Sequence, residues 1–337
     1  MNFEPPMLMK TVLSGIRSTG HLHLGNYFGA LRNFTQLQHQ AKCYFFIADL
    51  HSLTTHPNPE DFHSNVRIIL SEYLASGLDP EKSTLFVQSS VPEVSELFVL
   101  LNMLTYKGEL ERTASFKDKV RQNPRNVNAG LLTYPVLMAA DILIHRADWV
   151  PVGKDQEQHL EITRLLARRF NKVYDANVFP EPEAYNFGGN LVKIPGLDGS
   201  GKMGKSEGNG IYLVDDQKTI TKKVMRAVTD SGPTAPGSAM SPEIANLFTI
   251  LSVVSEPQTV TFFKDQFNNC TIRYGDLKKQ LAADICKHTL PIKERIEEIY
   301  HDDSYLKYVI EKGTAEARAS AQATMTRVRE AVGFKTF

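Results

Sequence analysis

Residues 43–48, Cys-Tyr-Phe-Phe-Ile-Ala, form an unbroken apolar run between two stretches of helical periodicity. A strand that is apolar on both faces must be covered on both, as in a parallel sheet with helices on either side. The flanking sequence repeats the theme. Thr11–Ser14 reads as a strand, and Leu24–Gln40 puts Tyr27, Ala30, Leu31, Phe34 and Leu37 on one helical face. A helix over about Asp61–Ser76 and a strand at Thr84–Gln88 follow. This alternation predicts an α/β fold with a doubly wound parallel sheet.

From Pro92 to Ala147 the pattern turns to consecutive helices, with Gly108 and Asn128–Gly130 as breaks, so a helical insertion is expected at about 92–147. Trp149–Val152 and Leu191–Ile194 read as short strands. Between them Gln156–Tyr174 reads as a helix with Leu160, Leu165, Leu166 and Phe170 on its apolar face. Beyond Asp215 only helical patterns occur, interrupted at Ser231–Ser241 and Asn268–Gly275. The expected division is a sheet domain at 8–214 and an α-helical C-terminal domain at 215–337, within a chain of 337 residues.

Composition excludes several classes. Lysine plus arginine equal aspartate plus glutamate at 38 each, so this is no globally basic nucleic-acid coat, although a local basic patch remains open. Cys43, Cys270 and Cys286 lie far apart, without CxxC or zinc-finger histidine spacing, so neither a disulfide framework nor a protein-held metal is expected. The N-terminus carries no apolar leader, and no apolar run approaches the ~18 residues of a bilayer span. A cytoplasmic protein with no membrane partner is expected.

Two segments carry chemistry. SGIRSTGHLHLGNYFGAL joins the first strand to its helix, and a helix N-terminus with loosening glycines favours a phosphate. Gly25 leaves room for a nucleotide to lie flat, and His23 and Asn26 point donors at the same place. The segment is neither GxGxxG nor a Walker sequence, and by itself also suits an ordinary strand–helix connection. The second segment, Gly201-Lys202-Met203-Gly204-Lys205-Ser206, lies among glycines at 196, 199, 208 and 210. Such a loop cannot be rigid on its own. Its two lysines can close on a polyphosphate as negative charge develops, or serve simply as a solvated basic loop.

Together these motifs, with GELERTASFKDK and AGLLTYPVLMAADILIHRADWVPVGKDQEQHLEITRLLARRFN, resemble the bacterial tryptophanyl-tRNA synthetases, from Thr11 to about Gly333. The resemblance implies a Rossmann-type catalytic domain, a helical anticodon-binding domain and a homodimer. It implies L-tryptophan, ATP and tRNA(Trp) as substrates, with Mg²⁺ held mainly by the ATP phosphates. His23, Leu24, Gly25 and Asn26 stand at the HIGH-type signature, and Arg17, Ser18 and Thr19 in the preceding ATP loop. Lys202, Met203, Gly204, Lys205 and Ser206 match the KMSKS loop, and Lys119 a third polyphosphate lysine. Gly153, Lys154 and Asp155 match the ribose-binding segment, and Ile194 another ATP position. The resemblance assigns Asp141 to the indole N–H, and Leu13, His51, Tyr134, Met138, Val150, Val152 and Gln156 to the rest of the tryptophan pocket. Two positions depart from the pattern. Gly204 replaces a serine, implying weaker ordering of the loop, and Arg17 stands where many relatives have glutamine.

Asp141 is also unusual on its own terms, because its helix is apolar nearly all round and a buried carboxylate needs a donor. Arg146 is the obvious sequence-local partner; otherwise the free pocket is expected to leave the carboxylate hydrated or loosely paired. Three rival readings are a tyrosyl-tRNA synthetase, a catalytically silent RNA-binding paralogue and a nucleotidylyltransferase without a tRNA partner. The apolar MAAD segment opposes the first. The intact lysines oppose the second, and the helical C-terminal part opposes the third.

Overall fold

A computed structural model describes residues 9–153, 156–185, 193–205 and 207–335. Its centre is a five-stranded parallel sheet in the order β3-β2-β1-β4-β5. The strands are β1 (Thr11–Ile16), β2 (Lys42–Ile47), β3 (Ser83–Val87), β4 (Trp149–Pro151) and β5 (Glu183–Tyr185). The first helical stretch is α1 (Leu24–Asn26), a π-helical turn at Tyr27–Leu31 and α2 (Arg32–Leu37). There follow α3 (Asp49–Ser52), α4 (Pro59–Ala75), α5 (Glu93–Met103), α6 (Lys107–Glu111), α7 (Ala114–Gln122), α8 (Ala129–Ile144) and α9 (Glu157–Val173). The chain ends with α10 (Gln217–Met225), α11 (Pro242–Val254), α12 (Pro257–Asn268), α13 (Tyr274–Tyr300) and α14 (Asp303–Val332).

The apolar run of β2 is covered as its composition requires. Tyr44 and Phe46 face a core built with α5, α8 and α9; Cys43, Phe45 and Ile47 face α2 and α4. Differences from the sequence reading are local. Gly108 lies inside α6, because the chain breaks just before it, at Leu104–Tyr106. Asn128 caps α8 by accepting from Leu131 N, and Gly130 is simply its second residue. Leu165 is only half-buried; Ile162 and Thr163 occupy the inner face of α9 instead. Of the strand expected at Leu191–Ile194, residues 191 and 192 lie outside the described residues, and Ile194 is buried without belonging to a strand. β5 escaped the pattern because Glu183-Ala184-Tyr185 carries no apolar run.

The C-terminal helices contribute to three apolar cores. α10 to α13 enclose one of their own with Leu24, Phe28, Ile194 and Met203. Further on, α13 and α14 return to the sheet: Ile292, Ile296, Leu306 and Val309 pack on one face, and Ala317, Ala321, Met325 and Val328 on the other. α14 therefore crosses the outer edge of β3, covering backbone groups that would otherwise invite another strand. Gly313 makes the crossing possible, since a Cβ there would sit 1.7 Å from the Leu85 carbonyl oxygen. Among the described residues no helix is long and apolar enough to cross a membrane.

Glycine in mid-helix normally costs stability, and Gly→Ala typically recovers about 1 kcal/mol. Here the sign should reverse. Gly313→Ala should lose about 1–3 kcal/mol, because α14 must lift off backbone atoms. Urea denaturation measures this, and a stabilised variant would contradict the close crossing.

Candidate active site

β1 pairs with β2 on one side and with β4 on the other, and the chain reverses its winding direction between them. A crevice must open there, beyond the carboxyl ends of the strands. A cavity of about 480 Å³ occupies it. Leu13 and Arg17 reach it from β1 and its loop, Val150, Val152 and Gly153 from β4 and beyond, and Gln156 from the start of α9. His51, Lys119, Tyr134, Met138 and Asp141 complete the wall from α3, α7 and α8. The predicted tryptophan residues thus converge on one space.

Asp141 is buried on the cavity floor, not loosely paired as expected, and Arg146 is not its partner. Arg146 is exposed, in a left-handed turn past the helix end. Instead His51 Nε2 donates to Oδ2 at 2.8 Å, and Gln88 Nε2 donates to Oδ1 at 2.8 Å and Oδ2 at 3.0 Å. Gln88 is itself held by Leu50 N, which donates to its Oε1. Burial pushes the Asp141 carboxyl above its ordinary value, while the His51 and Gln88 donors pull it back. A carboxylate has about four acceptor positions, and among the described residues Gln88 alone donates to Oδ1, which leaves one for a further N–H. Opposite, His159 ties three helices together. Its Nδ1 lies 2.8 Å from Gln156 Oε1, and its Nε2 lies 2.5 Å from Tyr134 Oη and 2.8 Å from Ser115 Oγ.

Two lysines stand near Arg17. Lys119 Nζ stands 3.9 Å from the centre of the Tyr134 ring. Burial, reinforced by the Arg17 charge, pushes its pKa down to about 8. Lys205 Nζ donates to Gly20 O at 2.7 Å and is also pushed down to about 8, chiefly by burial; Glu72 opposes the shift and Arg17 adds to it. Lys202 is exposed. Ser18 turns inward to donate to Ser52 Oγ, and Thr19 is half-buried beside it. Lys154, Asp155 and Ser206 lie outside the described residues.

The histidine segment is more tightly built than a loose turn. Asn26 Oδ1 accepts from His23 N at 3.1 Å. The His23 ring packs against Gly25, where a Cβ would approach it to 2.8 Å. Burial and the two loop lysines push His23 down to about 4, so its ring is neutral. Glu72, buried in α4, accepts from His21 Nδ1 and Leu22 N, fixing the turn from behind. The lysine loop is ordered as well. Met203 is buried, and Gly204 N donates to Asn209 Oδ1 at 3.0 Å.

A profile of the tRNA synthetases class I (W and Y) matches residues 9–288. The chain belongs to this family. It is 62% identical to a tryptophan–tRNA ligase of Porphyromonas gingivalis, over 97% of this chain and all of that one. Another tryptophan–tRNA ligase, from Clostridium tetani, is 40% identical over 96% of both chains. A crystal structure of tryptophanyl-tRNA synthetase from Campylobacter jejuni, complexed with ADP and tryptophan, superposes with a TM-score of 0.84. It is 34% identical, covering 96% of this chain and all of that one. As a class I synthetase the chain has the expected Rossmann-type sheet. Gln88, His159, Glu72 and Asn209 escaped the motif reading, because each acts through contacts distant in sequence or resembles an ordinary helix or turn residue.

The Asp141 network gives a direct test. Asp141→Asn keeps the shape but turns an NH₂ group toward His51 or Gln88, so that two buried donors oppose each other. The ligand-free protein should lose about 1–3 kcal/mol in urea melts, whereas Arg146→Ala should stay within about 0.5 kcal/mol. Equal midpoints for Asp141→Asn and the parent would rule out the network as described.

Proposed function

We infer that this synthetase is a tryptophan–tRNA ligase, which activates L-tryptophan with ATP to tryptophanyl-AMP and pyrophosphate and then esterifies tRNA(Trp). The observation that carries the reading is the buried Asp141 carboxylate, with a free acceptor position on the floor of an otherwise largely apolar cavity. An indole N–H satisfies it. Phenylalanine would leave it unpaired, which is how a site built for one hydrogen bond rejects the analogue lacking it. Met138 lines the same wall and offers a thioether to the ring.

The reaction needs no general base, because the tryptophan carboxylate is already a nucleophile. Its oxygen attacks the α-phosphorus in line, the bond to the bridging oxygen breaks, and pyrophosphate leaves with that electron pair. Arg17, Lys119, Lys202 and Lys205 are assigned to the phosphates, with His23 and Asn26 shaping the helix start that faces them. Among the described residues no three His, Cys, Asp or Glu side chains are grouped to hold a metal. Mg²⁺ is therefore assigned to the ATP phosphates, where it would neutralise charge. We assign tRNA recognition to the helical part beyond residue 214, and the cytoplasm as the location. The exposed Val99 and Met103 of α5, with Tyr106 just beyond it, support the assignment of a homodimer surface to this part of the helical insert.

Tryptophan-dependent exchange of labelled pyrophosphate into ATP tests the reading; stimulation by tyrosine alone, or by neither, would refute it. Lys205→Ala should slow single-turnover adenylate formation by the equivalent of ~3–4 kcal/mol while leaving tryptophan affinity nearly intact. Equal losses in both would place the lysine in ground-state binding.

The lysine pKa values set a pH dependence. Lys119 and Lys205 are protonated below about 8 in the free protein and lose charge as pH rises through it. Since phosphate binding needs the charged forms, kcat/KM for ATP should fall above that pH. In kcat, where bound phosphate holds the protons, the inflection should move upward. Lys205→Arg should weaken the inflection, because guanidinium stays charged. A flat profile in the parent protein would contradict the assignment.

A further inference from the structure

Asn209 follows the lysine loop in a stretch rich in glycine, where asparagine ordinarily marks a turn. Its side chain does something else. It is 5% exposed, and each of its hydrogen-bonding atoms is engaged. Nδ2 lies 3.1 Å from Asp198 Oδ1, 2.9 Å from Ser200 Oγ and 3.2 Å from the Lys202 carbonyl oxygen. Oδ1 accepts from Gly204 N at 3.0 Å. One amide therefore grips the backbone on both sides of Met203, at a residue flanking Lys205 and at Lys202 itself. The backbone of Asn209 is tied in turn, its carbonyl accepting from Leu197 N at 3.1 Å. Gly196 supplies the space: a Cβ there would lie 2.3 Å from Asn209 Nδ2.

We propose that Asn209 is a positioning residue for adenylate formation, clamping the Lys202–Gly204 backbone so that Lys205 is presented to the phosphates at a fixed place. The proposal rests on the assignment of Lys205 to the reacting phosphates. Glycines make the loop permissive, and the amide removes the freedom they would otherwise confer. Two backbone contacts from one rigid planar group fix a short loop better than contacts from two independent side chains. An aspartate at 209 would keep the Gly204 contact, lose the donors, and set a carboxylate against Asp198.

A structural residue and a positioning residue both lower stability when removed, so the decisive reading is a double-mutant cycle in rate. Asn209→Ala and Asn209→Asp should each slow single-turnover adenylate formation by about 10- to 100-fold, the usual consequence of a displacement near 1 Å. Tryptophan affinity, by equilibrium dialysis well below the melting temperature, should change less than about twofold, because the pocket is elsewhere. Made on top of Lys205→Ala, either substitution should cost less than about threefold, because the group it positions has gone. Gly196→Ala, which crowds the amide from behind, should reproduce the same pattern without touching either lysine. If Lys205→Ala is slow by itself but the losses multiply, the lysine assignment stands and the clamp is overturned. If Lys205→Ala keeps the full rate, the lysine assignment fails, and the clamp with it. Full rate in both Asn209 variants, or parallel loss of tryptophan affinity, also overturns it.

Discussion

The arrangement of the site depends on a short backbone pairing between two segments remote in sequence. Leu24 N donates to Ile211 O and Leu213 N donates to Leu22 O, both at 2.9 Å, and His23 bridges Tyr212 in antiparallel fashion. Leu22, Leu24, Ile211 and Leu213 are all buried, so the polar groups between them have no water to turn to and must pair with each other. This joins the histidine segment to the strand-like tail of the lysine loop. The pairing brings the lysine loop beside the first turn, where Lys205 Nζ donates to Gly20 O. Glu72 seals the opposite side of the same turn through Leu22 N and His21.

What the sequence revealed, and what it hid, follows from the range of each interaction. The strands of the β1–β3 half were legible because β2 is apolar on both faces and its neighbours show helical period. The converging pocket residues were legible through resemblance, since Leu13, Val150 and Met138 are ordinary core residues by pattern alone. Asp141 stood out by cost, a carboxylate on an apolar helix. Its partners did not, because Gln88 and His51 arrive from other parts of the fold. Arg146 looked suitable only because it is near in sequence; the helix ends at Ile144, and the turn after it carries the guanidinium away. The glycines around Lys202 likewise suggested freedom, because composition reports what a backbone can do and not what a side chain elsewhere forbids.

The electrostatics of the free site are unfavourable by construction. Arg17 stands close enough to lower the pKa of both Lys119 and Lys205, and burial strips each lysine of hydration. Like charges held together away from water are costly, and only a fold that over-determines their positions can keep them there. Only negative charge placed among these cations can offset their repulsion. The cost is therefore carried by the folded chain itself, and on the proposed assignment the positive charge is in place without reorganisation.

Asp141 gives the cavity a second pole. Its carboxylate lies on the floor, while Arg17 and Lys119 line other parts of the same cavity, so the lining carries charge of both signs. An amino acid with an N–H donor on its side chain and a free carboxylate has the complementary polarity. Turned end for end, its carboxylate would face Asp141 and its indole would face the lysines, losing at both ends. On the proposed assignment, the charge distribution that selects the orientation also turns the nucleophilic oxygen toward the cations. Low-dielectric walls such as Leu13, Met138, Val150 and Val152 strengthen it, because field lines that water would screen persist between the poles. On the proposed assignment, choice of side chain and placement of the reacting group are thus two effects of one charge distribution, in which Asp141 and Lys119 both come from the helical connection between β3 and β4 and Arg17 follows β1.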